Sequence, residues 1–146
     1  MHRSTGFTLV ELSLLLVLFA LLSALAVPSL ARVLAEERAR GTMNRLGADI
    51  HLARALAARA GEPVRLRFEP EEGCARRYLL EADDGAVLRR VEVGRGGVCL
   101  SSNVAQPMYV NGRGMLSGSP RRLYATSGAA VDSAVVSIVG RVLRPP

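Results

Sequence analysis

The chain has 146 residues, room for one domain plus an attached element but not for two domains. Apolar residues make up 49% of it, and a mean hydropathy of +0.23 is high for a small soluble protein. All 19 basic residues are arginine against 13 acids, a net charge of +6, and the absence of lysine excludes a phosphate loop closed by Lys-Ser or Lys-Thr.

The first six residues carry one charge, Arg3, and end in the small residue Gly6. A long apolar run follows, and residues 12–31 are twenty positions without a charged side chain. At helical rise they reach roughly 30 Å, the thickness of a bilayer core. A secretory signal would place its small-residue site after a short apolar core. Here the small residue precedes a long one. Arg3 on the short leading side favours a leader that stays in the cytoplasm, with the bulk of the chain outside. Glu11 is the odd residue, because an acid inside a membrane span costs about 2.5–3.5 kcal/mol at mid-bilayer and less near an end. Cleavage after Gly6 would free an α-amine on Phe7, largely cationic with an ordinary pKa of about 7.7–8. Glu11 could neutralise such an amine on a neighbouring subunit and set the register between helices. The other reading of these residues is an uncut signal anchor with a tolerated Glu.

Gly6-Phe7-Thr8-Leu9-Val10-Glu11 followed by about twenty apolar residues resembles the type III signal of type IV pilins and type II secretion pseudopilins. The resemblance covers residues 1 to about 32. It implies cleavage after Gly6 by a prepilin peptidase, N-methylation of Phe7, Glu11 as the assembly residue and Pro28 as a helix-kinking proline. It implies as partners other pilins or pseudopilins in a filament, the peptidase and the inner-membrane assembly machinery. It also implies one membrane pass before assembly, then a periplasmic pseudopilus or a cell-surface pilus.

The helical pattern continues past the anchor. Arg32/Glu36 and Glu36/Arg40 are opposite charges one turn apart. Met43, Leu46, Ile50, Ala53, Ala57 and Ala60 form one apolar stripe, and Gly61 with Pro63 is a stop signal. The spacing predicts one helix from about Phe7 to Ala60, weakened by about 1 kcal/mol at each of Gly41 and Gly47. After Pro63 the texture is that of strands: Val64–Phe68, Tyr78–Ala82, Val87–Val93, Met108–Val110, Leu123–Ala125 and Val135–Val139. Asp83-Asp84-Gly85 suits a hairpin turn, and Asn111-Gly112-Arg113-Gly114 is another turn. The fold class expected is α+β, a long N-terminal helix packed on an antiparallel sheet. Its parts are a leader (1–6), a transmembrane and assembly helix (7–31), an amphipathic second half (32–60) and a β-rich extracytoplasmic domain (61–146).

Cys74 and Cys99 both follow the apolar segment and lie outside the cytoplasm if that segment is an anchor, where disulfides persist. A bridge between them is expected, the other arrangement being two buried free thiols. The charge is also placed unevenly. Residues 1–84 hold 11 Arg and 11 acids, whereas 85–146 hold 8 Arg against Glu92 and Asp132, so 8 minus 2 gives the whole +6. Such asymmetry points to a polyanion or an acidic partner surface, or to a merely solvated basic face.

The ending Val135-Val136-Ser137-Ile138-Val139-Gly140-Arg141-Val142-Leu143-Arg144 resembles the closing strand and Gly-Arg tail of the FimT/GspH group of minor pilins and pseudopilins. That resemblance implies service in type II secretion or in type IV pili. For some members it implies DNA uptake, natural transformation with a Gly-Arg-x-Arg tail on the DNA. Here one more residue separates the two arginines, and in an extended strand this turns Arg144 to the opposite face. The candidate phosphate contacts are Arg121, Arg122, Arg141 and Arg144, with Tyr109 and Tyr124 as strand-packing residues that could also stack on bases. Catalytic chemistry finds no support. His51 is the one histidine after the leader, Ser101, Ser102 and Asp132 could join it in a triad only by coincidence of fold, and with two cysteines it does not complete a zinc set. Glu71/Glu72 and Asp83/Asp84 each lie beside glycine and read as turn chemistry. The expectation is a non-enzymatic chain without cofactor or metal.

Overall fold

The computed structural model describes residues 8–70 and 73–144, apart from the side chains of residues 25, 26 and 95. Gly6, Phe7, Glu71 and Glu72 lie outside the described residues. Helix α1 runs from Leu9 to Ala60. The chain divides into two compact units, one ending at Leu34 and one beginning at Ala35.

The first unit is the leading part of α1. Its large apolar side chains among the described residues face outward, with Leu9 84% and Phe19 66% exposed, and it is long and apolar enough to cross a membrane. Pro28 sits inside the helix, where its ring leaves the carbonyl four residues earlier without a helical donor.

In the second unit α1 buries Ala39, Met43, Leu46, Ile50, Ala53 and Ala57. Steps of three and four place all six on one face. Ala60, expected in that stripe, is exposed. It lies in the terminal turn, where Gly61 takes φ +72 and donates to the Ala57 carbonyl at 2.9 Å. Of the expected helix-surface ion pairs, Arg40 instead reaches Glu37 at 3.8 Å. Gly41 and Gly47 do not interrupt the helix.

One sheet has the order β3-β2-β1-β5-β6, from Val87–Glu92, Arg77–Ala82, Val64–Glu69, Met108–Val110 and Leu116–Ser117. The other has the order β4-β7-β8-β9, from Val98–Ser102, Arg121–Ser127, Ala130–Val136 and Val142–Leu143. Every pairing is antiparallel. The inner side chains of both sheets, among them Leu66, Tyr78, Leu80, Val110, Leu100, Leu123 and Val136, share one core with the buried helix face. Burying that apolar surface is the main term that holds the layers together.

Two expectations are corrected here. The strand read at Val135–Val139 lies earlier, at Ala130–Val136, because Ser137–Arg141 forms a tight turn. The tail is therefore not one extended strand, and the strand-alternation argument for Arg144 does not apply. The short strands β4, β6 and β9 were not expected. Leu116-Ser117 and Val142-Leu143 are too short to show a period, and Val98–Ser102 shares its segment with small polar residues.

Three hairpin turns share one geometry. In each, the fourth residue donates to the first, the first donates to the fifth, and the fourth is a glycine with positive φ. They are Ala82–Ala86 with Gly85 at φ +86, Asn111–Met115 with Gly114 at +73, and Ser137–Arg141 with Gly140 at +73. This is a type I turn closed by a glycine bulge.

Candidate functional site

The start of α1 is built as a reciprocal cap. Glu11 Oε2 accepts from the Thr8 backbone N–H at 2.9 Å and from its hydroxyl at 3.0 Å. The Glu11 N–H donates to Thr8 Oγ1 at 3.2 Å, and Leu12 N–H closes the first helical bond to the Thr8 carbonyl at 3.1 Å. Two of the helix's otherwise unpaired donors are thus satisfied. The Thr-x-x-Glu spacing of Thr8 and Glu11 is the sequence signal of this cap.

A buried polar cluster fastens the helix to the first sheet. Tyr78, fully buried, donates its hydroxyl to Asp49 Oδ2 at 2.6 Å, and Arg89 Nε approaches Asp49 Oδ1 at 3.3 Å. Burial first, then the bond to Asp49, raises the Tyr78 phenol far above its ordinary range. On the other face of that sheet, buried Glu81 accepts from Arg65 at 2.7 Å and from Arg67 at 2.8 Å. Burial alone would raise this carboxyl; Arg67 and then Arg65 outweigh it and hold it below the usual carboxylate range. Neither buried acid is legible from its residue type, since an acid on a helix or in a strand reads as a solvent-facing residue.

Cys74 and Cys99 form a disulfide with Cα atoms 5.0 Å apart. Next to it, Ala75 and Leu100 exchange two backbone hydrogen bonds, each 2.9 Å. This staple ties the segment before β2 to β4 of the other sheet.

The structure separates the four candidate arginines. Arg121 points inward, only 8% exposed, with Nη1 on the Gln106 carbonyl and Nη2 on Pro107 O at 3.0 Å. Burial lowers its pKa from the ordinary value. Arg144 pairs with Asp132 at 3.3 Å and donates to the Arg40 carbonyl at 3.3 Å. Arg122 and Arg141 are exposed and make no ion pair among the described residues. Tyr124 lies within β7 between Ser101 and Ser133, and Tyr109, 40% exposed, lies within β5 between Arg65 and Ser117. His51 is exposed on α1.

Gly140 accepts the Arg54 guanidinium. Arg54 Nε donates to the Gly114 carbonyl at 2.8 Å and Nη1 to the Gly140 carbonyl at 3.0 Å. A Cβ on Gly140 would lie 2.5 Å from Arg54 Nε. The glycine of the Gly-Arg tail is therefore set by packing as well as by its positive φ.

Residues 42–140, about two thirds of the chain, match the family described as type II transport protein GspH. No curated protein matches in sequence. The fold is similar to the type IV minor pilin FimU of Pseudomonas aeruginosa, at TM-score 0.64 and 14% identity over 75% of this chain and 90% of that one. It is also similar to the minor pseudopilin EpsH of the Vibrio cholerae type 2 secretion system, at TM-score 0.57 and 15% identity over 74% and 98% of the two chains.

Proposed function

Because this chain belongs to the GspH family of type II transport proteins, we propose that it is a minor pilin or pseudopilin subunit, cut between Gly6 and Phe7 and built into a type IV pilus or type II secretion pseudopilus. The observation that carries this reading is the exposed apolar run of α1 with one acid, Glu11, in its first turn. Such a surface is stable only in lipid or against other apolar helices. N-methylation of Phe7 and service by the prepilin peptidase and inner-membrane machinery belong to the same reading, as does a globular part outside the cytoplasm. Glu11 would meet the new amine of a neighbouring chain. The test is to express the full chain and a Glu11→Leu variant in the producing cell, sequence the mature N-terminus and recover sheared filaments. A start at Phe7, with wild type but not the variant in filaments, is expected. A chain still starting at Met1 that fractionates identically with or without Glu11 overturns the reading.

A second reading, DNA binding, draws on Arg122 and Arg141, exposed and without ion pairs among the described residues. Each phosphate contact contributes about 0.9 to the slope of log affinity against log salt on duplex DNA. Full chain in detergent that binds, and loses slope in the Arg122→Ala/Arg141→Ala pair, supports it; no binding at low salt removes it.

A further inference from the structure

Two of the three glycine-bulge turns lie side by side. The Leu116 N–H donates to the Ile138 carbonyl at 2.8 Å, which joins the end of the Asn111–Met115 turn to the Ser137–Arg141 turn. Arg54 then clasps both, one nitrogen on each turn's glycine carbonyl. Asn111 Oδ1 adds bonds from the Arg113 and Met115 N–H groups, each 3.0 Å, and Ser137 Oγ one from the Arg141 N–H at 3.1 Å. The backbone of this double turn is held from several sides at once.

Its outward side chains are unusual for such a scaffold. The equivalent central positions hold Asp83-Asp84 in the first turn and Gly112-Arg113 in the second, which are ordinary turn residues. The third holds Ile138-Val139, 49% and 52% exposed. Met115 is 36% exposed, and Arg113 and Arg141 are exposed. No acid occurs between residues 93 and 131 or between 133 and 146, so nothing in either turn offsets the two cations. Aliphatic groups held rigid, with cations beside them, lose little freedom on docking and suit an apolar pocket with an acidic rim.

We propose that this double turn is a docking surface for another protein subunit of the same assembly, one that offers an apolar pocket edged by carboxylates. Two branched aliphatics cannot stack on bases, which disfavours nucleic acid as the occupant. A lipid surface is disfavoured by the small apolar area and the absence of an aromatic residue from both turns. Only the identity of the partner as a fellow subunit rests on the filament reading above.

The test places a photo-crosslinking amino acid at Val139 of the full chain in the producing cell, with Ala58, exposed on α1, as comparator position. A light-dependent adduct with one protein, identified by mass spectrometry as a co-assembled subunit, is expected from Val139 and not from Ala58. Ile138→Asp, or Arg113→Glu with Arg141→Glu, should lower it at least tenfold. An unchanged thermal midpoint in these variants shows that the loss is not unfolding. An adduct with nucleic acid or lipid, one of equal yield from Ala58, one indifferent to charge reversal, or none at all overturns the proposal. Recovery in sheared filaments, followed in the same cells, separates the two ideas. No adduct from Val139 in the otherwise unaltered chain, with Glu11-dependent recovery intact, refutes only the docking surface, and recovery that ignores Glu11 refutes the filament reading.

Discussion

Tyr78 and Asp49 meet in the core through a 2.6 Å hydrogen bond between a fully buried phenol and a carboxylate on the helix face opposite it. Tyr78→Phe keeps the ring and removes the donor, leaving Asp49 with Arg89 as its partner. The cost expected is about 1–3 kcal/mol, that of an unsatisfied buried acceptor. Thermal unfolding of the full chain in detergent measures it.

The same phenol predicts an alkaline limit. Its folded pKa is raised above the unfolded value of about 10, so the unfolded chain loses the proton first. The contribution is complete below that pH and is lost as pH rises beyond it. In Tyr78→Phe the alkaline fall in midpoint should be shallower than in wild type.

Glu81 behaves in the opposite sense. Its folded pKa is depressed by Arg67 and Arg65 against the pull of burial. The stability it adds is present above the unfolded carboxyl pKa and fades as pH falls through the lower folded value. Glu81→Gln should flatten the acid limb of a midpoint-versus-pH curve and destabilise at neutral pH by about 1–3 kcal/mol. A curve parallel to wild type would show that the arginines are held by something else.

Gly140→Ala faces two obstacles, a φ of +73 and an Arg54 nitrogen 2.5 Å from the new Cβ. A loss of about 1–3 kcal/mol is expected from backbone strain alone. Because the clash is with Arg54, the double variant with Arg54→Ala should fall short of the sum of the single ones. Strict additivity would place the whole cost in the backbone.

Reduction of Cys74–Cys99 reopens a connection spanning 25 residues. Loss of roughly 3 kcal/mol is expected on the chain-entropy account. A lower midpoint in reductant, absent from a Cys74→Ser/Cys99→Ser variant, checks it.

The helix and the hairpin turns were legible because their signals are local. Met43 to Ala57 repeats at helical spacing, and Asp83-Asp84-Gly85 and Asn111-Gly112-Arg113-Gly114 carry turn chemistry. The third turn is masked because Ile138-Val139 reads as strand; Gly140 at positive φ, the clasp of Arg54 and the bonds of Ser137 hold the bend there. Arg121 reads as a surface cation, yet the register of β7 alternates inward at Leu123, Ala125 and Arg121 alike. Which of two adjacent arginines faces solvent depends on pairing with β8, which composition does not record. Glu11 stands out by its cost in an apolar span, while its partner Thr8 is legible only through the Thr-x-x-Glu spacing.

The cap between Thr8 and Glu11 gives that carboxylate somewhere to wait. The acid in this apolar stretch is not bare, since two donors of its own chain already hold it. A cation arriving from a neighbour would exchange one occupied state for another. On the proposed subunit contact, the net driving force would be a difference, smaller than the contact itself, and joining and leaving would be more nearly reversible.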